Sequence, residues 1–211
     1  MPFVDVTATP ANCVSNGVAV RATATRLWLG RIEPDAGARA HAQSVIARVA
    51  GVPGRVESGG AFEDARLEAL LRAALPVEVA AALRPRFEWY ACRGAFFHND
   101  AHFEAVLFGV WCLAGPPRDL VFPRLDERVA LAVGLAAIFD PFEPHAVLDP
   151  GQARYERAVY EGAPVSVFLG FELALDAATR SAFRIGAPIS GAPALSSRAP
   201  VHPETGAVPQ L

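Results

Sequence analysis

The chain has no lysine: all 19 of its basic residues are arginine, set against 22 acidic residues for a net charge of −3. There is no basic run and no basic-aromatic patch, which argues against nucleic acid as the main partner. Cysteine is scarce. Cys13, Cys92 and Cys112 are odd in number and contain no CxxC spacing, so disulfide and zinc-finger frameworks are disfavoured and reduced thiols are expected. The opening Met1-Pro2-Phe3-Val4-Asp5 lacks the basic and apolar regions of a signal peptide. The most apolar segment, Val129 to Phe139, falls well short of the ~20 residues of a membrane span. No internal repeat is visible. These absences predict a cytoplasmic protein with no nucleic-acid and no membrane partner.

What remains is an ordinary globular composition, 52% hydrophobic and 19% charged over 211 residues, enough to bury roughly 70% of the unfolded surface. Residues 3–8 and 18–32 alternate around Asn16-Gly17 and predict a β-hairpin. Asp35 caps a predicted helix over 36–50, and 51–60 reads as a Gly/Pro-bearing loop. Leu67, Leu70, Leu71, Ala74 and Leu75 form the apolar stripe of a second helix, which Pro76 ends or kinks. After Pro85 the pattern turns to β. Strands are predicted at 87–98, 104–113, 118–122, 129–139, 144–148, 153–160 and 164–175, with turn residues between them. The expected organisation is one domain over 1–185, with a helical and hairpin part at 1–85 and a barrel core at 86–176. A Gly/Ala/Pro/Ser-rich irregular tail follows at 186–211. Many short strands in series after helices predict a mainly β fold, a sandwich or jelly-roll barrel buttressed by helices on one face.

Two separated segments carry the chemistry: Phe96-Phe97-His98-Asn99-Asp100 and Pro144-His145-Ala146-Val147. Residues two apart on a strand share a face, so His98 and Asp100 can present an imidazole and a carboxylate together. Two imidazoles and one carboxylate bind Fe(II) on one face and leave the opposite positions open. The net charge of such a centre favours an anionic chelating cosubstrate over water. His-x-Asp alone is weak, because five His and nine Asp in 211 residues give roughly 0.2 chance occurrences. A polar strand end with a surface His is the competing reading of the pair.

With His145 and the later Arg154-Tyr155 added, the chain resembles the Fe(II)/2-oxoglutarate-dependent dioxygenases, most closely their prolyl-hydroxylase-like branch, over about residues 87–175. The resemblance implies a double-stranded β-helix (a jelly-roll, cupin-like barrel). It implies His98, Asp100 and His145 as both metal ligands and catalytic centre, with 2-oxoglutarate as cosubstrate and O₂ as co-reactant. The family places an Arg or Lys about nine residues past the distal His to hold the far carboxylate of the keto acid. The chain has no Lys, so the resemblance implies Arg154, with Arg157 as the fallback and Tyr90 as a hydrogen-bond partner. A guanidinium suits the role, because a buried carboxylate is costly unless paired and a planar fork pairs it with two bonds. Against this, Arg154 can equally form a surface ion pair with Glu156 or Asp149. Glu156 itself departs from the family's Arg-x-Ser and would repel the cosubstrate if it faced inward.

His102 reads as a substrate contact, a rival ligand or a polar strand end. Core packing is the alternative for Tyr90. Arg93 and Trp111 are further pocket candidates, while His41 and His202 read as solvent-facing. The implied activity is hydroxylation of a small molecule, amino acid or peptide with release of succinate and CO₂. The alternatives are a cupin-like metalloenzyme that does not use 2-oxoglutarate and a non-catalytic barrel that only binds.

Overall fold

In the computed structural model, residues 3–49, 51–198 and 200–208 are described. The N-terminal part contains β1 (Phe3–Asp5), β2 (Asn12–Ser15), β3 (Val18–Ala22) and β4 (Arg26–Arg31). Asn16 and Gly17 both have positive φ, 50° and 80°, as a two-residue turn matched to strand twist requires. The hairpin they make joins β2 to β3, not 3–8 to 18–32; β1 pairs instead with β4, Phe3 opposite Trp28. The turn was readable, but the strand entering it was not the first alternating segment.

Helix α1 (Ala36–Arg48) starts at Asp35, whose carboxylate accepts from the Ala38 amide at 2.8 Å. Segment 51–60 is not all loop. Strand β5 (Val56–Phe62) runs along β6 (Leu83–Cys92) as an edge strand, irregular between Ser58 and Ala61. Its glycines hide the strand pattern. Gly59 lies where a Cβ would stand 2.9 Å from that of Trp89. Helices α2 (Ala65–Ala74) and α3 (Val77–Ala80) flank Pro76, as the leucine stripe predicts.

The barrel follows as β6, β7 (Ala95–His98), β8 (Val106–Ala114), β9 (Arg118–Phe122), β10 (Glu127–Leu131), β11 (Leu135–Phe139), β12 (His145–Leu148), α4 (Arg157–Tyr160) and β13 (Ser166–Ala174). Helix α5 (Ala177–Ala182) and β14 (Ala194–Leu195) complete the chain. The large sheet has the order β1-β4-β11-β8-β13-β6-β5, and the small sheet β10-β9-β12-β7. The eight strands β6 to β13 therefore split between two sheets, β11-β8-β13-β6 facing β10-β9-β12-β7. This is a mainly β, double-stranded β-helix.

Three strand expectations change. The predicted 87–98 is two strands, because the chain turns at Arg93-Gly94 and crosses from large to small sheet; a Cβ on Gly94 would lie 2.4 Å from the Tyr160 ring. The predicted 129–139 turns at Gly134 into β10 and β11. Residues 153–160 are a loop and the short α4, with no strand. The tail also has more order than its composition suggests: β14 pairs in parallel with β2, and Phe97 N donates to Pro203 O at 2.9 Å.

Apolar burial forms two layers. Ala38, Ala42, Val45, Leu67 and Leu71 from the helices meet Trp89, Trp111 and Phe171 on the outside of the large sheet. Phe108, Leu120, Phe122, Phe139 and Phe168 fill the space between sheets. Each such side chain contributes ~1.5–3 kcal/mol when fully buried. Among the described residues, no helix is long and apolar enough to cross a membrane. All three cysteines are buried free thiols, and burial pushes Cys92 and Cys112 up to about 12.

Gly170 on β13 lies under Tyr90: a Cβ there would stand 2.2 Å from the tyrosine ring. Gly170→Ala is expected to cost ~1–3 kcal/mol through overpacking, read as a lower urea midpoint. An unchanged midpoint would show that Tyr90 can move aside freely.

Candidate metal centre

The small sheet brings the two sequence segments together. His98 ends β7 and His145 begins β12, and they are direct cross-strand partners. Their ring centroids are 4.5 Å apart. Asp100 lies two residues beyond β7, in a turn where Phe103 N donates to its carbonyl, and not on the strand itself. Its Oδ2 is 3.6 Å from His145 Nε2 and 3.9 Å from His98 Nε2, and one ligand atom from each residue lies within 4.8 Å of the others. Ligand atoms in adjacent positions around a metal at ~2.1 Å stand ~3 Å apart. Small side-chain rotations therefore close the set on an ion.

Main-chain carbonyls set the imidazole tautomers. His98 Nδ1 lies 2.8 Å from Phe96 O and His145 Nδ1 lies 2.9 Å from Glu143 O. A carbonyl oxygen only accepts, so each Nδ1 carries the proton and each Nε2 turns its lone pair inward. Burial, with His145 alongside, lowers the pKa of His98. Asp100 is held down to about 2: burial opposes its charge, and the neighbouring His145 and His98 outweigh it. Neutral imidazoles and an ionised carboxylate are the form that binds a divalent metal. The donor set therefore fits iron.

A second layer holds the triad. The β11–β12 segment 140–144 gives His145 its Glu143 carbonyl, and Pro141 O accepts from Asp100 N at 2.8 Å. That segment is tied by two buried charges. Asp140 accepts from Arg21 Nη1 and Nη2 at 2.5 and 2.9 Å, and from the Ala24 and Phe142 amides. Glu143 pairs with Arg124, whose Nη1 also donates to Thr9 O at 2.6 Å. Arg21 and Glu143 carry no expectation from the sequence, and Asp140 reads there only as a turn residue before Pro141. The signal that could have flagged the acids is their place among apolar residues, at both ends of Pro141-Phe142 and shortly before His145.

The triad opens on a cavity of about 590 Å³ between the sheets. Tyr90 lines it from the large sheet and His102 from the turn after Asp100. Burial, reinforced by the Glu88 carboxylate, raises the Tyr90 pKa, so its hydroxyl remains a donor. Trp111 is not in the cavity; its indole donates to Ile32 O in the core beneath the helices. Arg93 packs beside Gly51 and does not line the cavity. His41 lies at the surface against Trp89, and His202 in the tail.

Arg154 is not brought to the site. Its side chain is 62% exposed and its nearest acid is Glu204, at 3.8 Å. Arg157 is 69% exposed beside Glu161. The turn at Asp149-Pro150-Gly151 takes the chain off the small sheet. Tyr155 and Tyr160 then stack at 5.2 Å and pack on that sheet's outer face with Phe97 and Leu148. The residues around these anchors, Arg154, Glu156 and Arg157, face solvent. The nine-residue spacing is kept in sequence and lost in space, and Glu156 never faces the cavity.

The arginine that does point between the sheets is Arg118, in series with Leu120 and Phe122 on β9. It is buried and fully engaged. It pairs with Asp149, and donates to Pro164 O at 2.7 Å and Ser166 Oγ at 3.2 Å. It lies four residues from Phe122, whose ring is 6.0 Å from His145, or roughly 13 Å along the strand. Arg118 closes the far end of the barrel.

No protein-family model and no curated protein matches the chain. Among solved structures, a Pseudomonas putida prolyl-4-hydroxylase aligns at 13% identity and a TM-score of 0.43, covering 70% of this chain and 91% of its own. A Burkholderia pseudomallei oxidoreductase of the 2OG-Fe(II) oxygenase family aligns at 14% and 0.35, covering 82% and 73%. At those scores the strand order itself, not the alignment, establishes the fold.

Breaking the buried pair on one side is expected to cost ~3–5 kcal/mol, because it leaves an uncompensated charge; replacing both partners by apolar residues costs much less. Chemical denaturation of Arg21→Met, Asp140→Leu and the double variant checks this. Equal losses in all three would show that the pair braces nothing.

Proposed function

We propose that this protein is a mononuclear non-haem Fe(II) oxygenase, with His98, Asp100 and His145 as metal ligands. The observation that carries the reading is the joint convergence of these three side chains, with both imidazoles turned Nε2-inward by main-chain carbonyls, at the wall of a cavity. Three protein ligands leave positions open for a chelating ligand and for O₂. Bound iron supplies the electron chemistry with O₂ that side chains lack. The chain's own residues hold the ion, keep Asp100 ionised, and line the cavity with apolar groups that exclude water. Hydroxylation of a small molecule, amino acid or peptide is the outcome this arrangement supports best.

The fit to 2-oxoglutarate is divided. The metal face suits a chelating keto-acid head, and Tyr90 offers a hydroxyl nearby. The far carboxylate finds no partner of the expected kind, since Arg154 and Arg157 face solvent and Arg118 is consumed by Asp149. A barrel that only binds would not need the fixed tautomers or the ionised Asp100.

The test is metal content after chelation and anaerobic loading with Fe(II), which removes zinc or nickel acquired during preparation. Wild type is expected to retain stoichiometric iron and to consume O₂ when air is admitted. His98→Ala and Asp100→Asn are each expected to weaken iron binding by at least ~10-fold, the lower end of what even outer partners of a metal site contribute. Iron retention by His98→Ala equal to wild type would sink the proposal.

A further inference from the structure

We propose that the cavity beside the triad receives the uncharged, apolar tail of a small 2-oxo acid, not the second carboxylate of a dicarboxylic one. The inference rests on the metal reading above and concerns what lies beyond the metal. Apart from His145 and the weak donor of the Cys92 thiol, the buried lining is carbon, Leu120, Leu131, Phe139, Val147 and Phe168 among it, and offers no side-chain donor to an anion. Phe168 is the register partner of Tyr90 on the neighbouring strand. A guanidinium at that position would sit beside the tyrosine on the same wall of the cavity; a phenyl ring stands there instead.

The charges bordering the cavity point the same way. Apart from the triad and His102, the ionisable groups lining it are Tyr90, Glu88, Arg55 and Cys92, whose thiol burial keeps neutral. Glu88 is half-buried beside Tyr90 and accepts from Ser58, so it repels an incoming carboxylate. Arg55 is exposed at the rim, before β5. A dicarboxylate therefore meets a cation only at the solvent edge, and apolar carbon or a negative charge elsewhere. The metal end asks for the opposite. A divalent ion held by one carboxylate retains positive charge and binds an anionic, bidentate head. One anionic head and an apolar tail satisfy both ends.

The experiment uses full-length protein loaded with Ni(II) in place of iron, so that binding is read without turnover. Metal content is measured separately. Calorimetric titration compares 2-oxobutanoate, 2-oxopentanoate, 2-oxohexanoate and 2-oxoglutarate. Along the apolar series each added methylene is expected to tighten binding roughly fourfold until the cavity is filled. 2-Oxohexanoate is expected to bind at least ~10-fold tighter than 2-oxoglutarate, since only the latter buries an unpaired charge. Phe168→Arg is expected to reverse the order by giving the far carboxylate a planar partner.

If 2-oxoglutarate binds metal-loaded wild type as tightly as 2-oxohexanoate, the inference is overturned; loss of that binding in Arg55→Ala would identify the rim cation as the anchor. A flat response to chain length, or no binding of any acid to metal-loaded protein, overturns it and leaves the metal reading standing. A chain that takes up no metal removes both. The wild-type series decides the matter even if Phe168→Arg fails to fold.

Discussion

The buried ion pair between Arg21 and Asp140 is the constraint on which the centre depends. Arg21 belongs to the N-terminal hairpin, outside the eight-strand barrel, and Asp140 to the segment between β11 and β12. Asp140 accepts from one guanidinium and two amides, which fixes the 140–144 segment as a rigid bracket. One carbonyl of that bracket sets the tautomer of His145, and another takes the amide of Asp100. Two members of the triad, one on β12 and one just past β7, thus share one support. Low dielectric strengthens the pair and makes an unpaired member expensive, so the bracket is either fully made or seriously weakened.

Much of this was legible in the residues, and what was not has identifiable causes. The Asn-Gly turn, the Asp35 cap and the leucine stripe are local signals, and the structure carries them where local physics puts them. His98 and His145 were readable as strand-borne because strand alternation and turn residues bracket them, although Asp100 turned out to sit just past its strand. Strand β5 was hidden because its glycines answer to Trp89, a contact made across the sheet. Arg154 was misplaced because spacing along the chain says nothing about which face of the sheet a crossover takes. That route was decided by two tyrosines packing on the outside.

The barrel interior shows how a shared architecture leaves ligand choice open. The sheet order and the three convergent side chains define where chemistry can happen, while the side chains beyond them define what can be held there. Here the charged anchor expected from a resemblance is replaced by aromatic and aliphatic carbon, and the nearest inward arginine has become a plug. The same scaffold can therefore change ligand class by exchanging a few inward residues without moving the triad.

The hairpin that supplies Arg21 is itself pinned by the end of the chain. β14 pairs with β2, and Asn12 exchanges two hydrogen bonds with Ile189 across 177 positions. Arg21 and Asp140 are 119 positions apart. The bracket thus closes only after at least 119 residues have followed Arg21. During synthesis the His-x-Asp stretch emerges long before anything can hold it in register. A growing chain on the ribosome carries the motif without yet having the binding site.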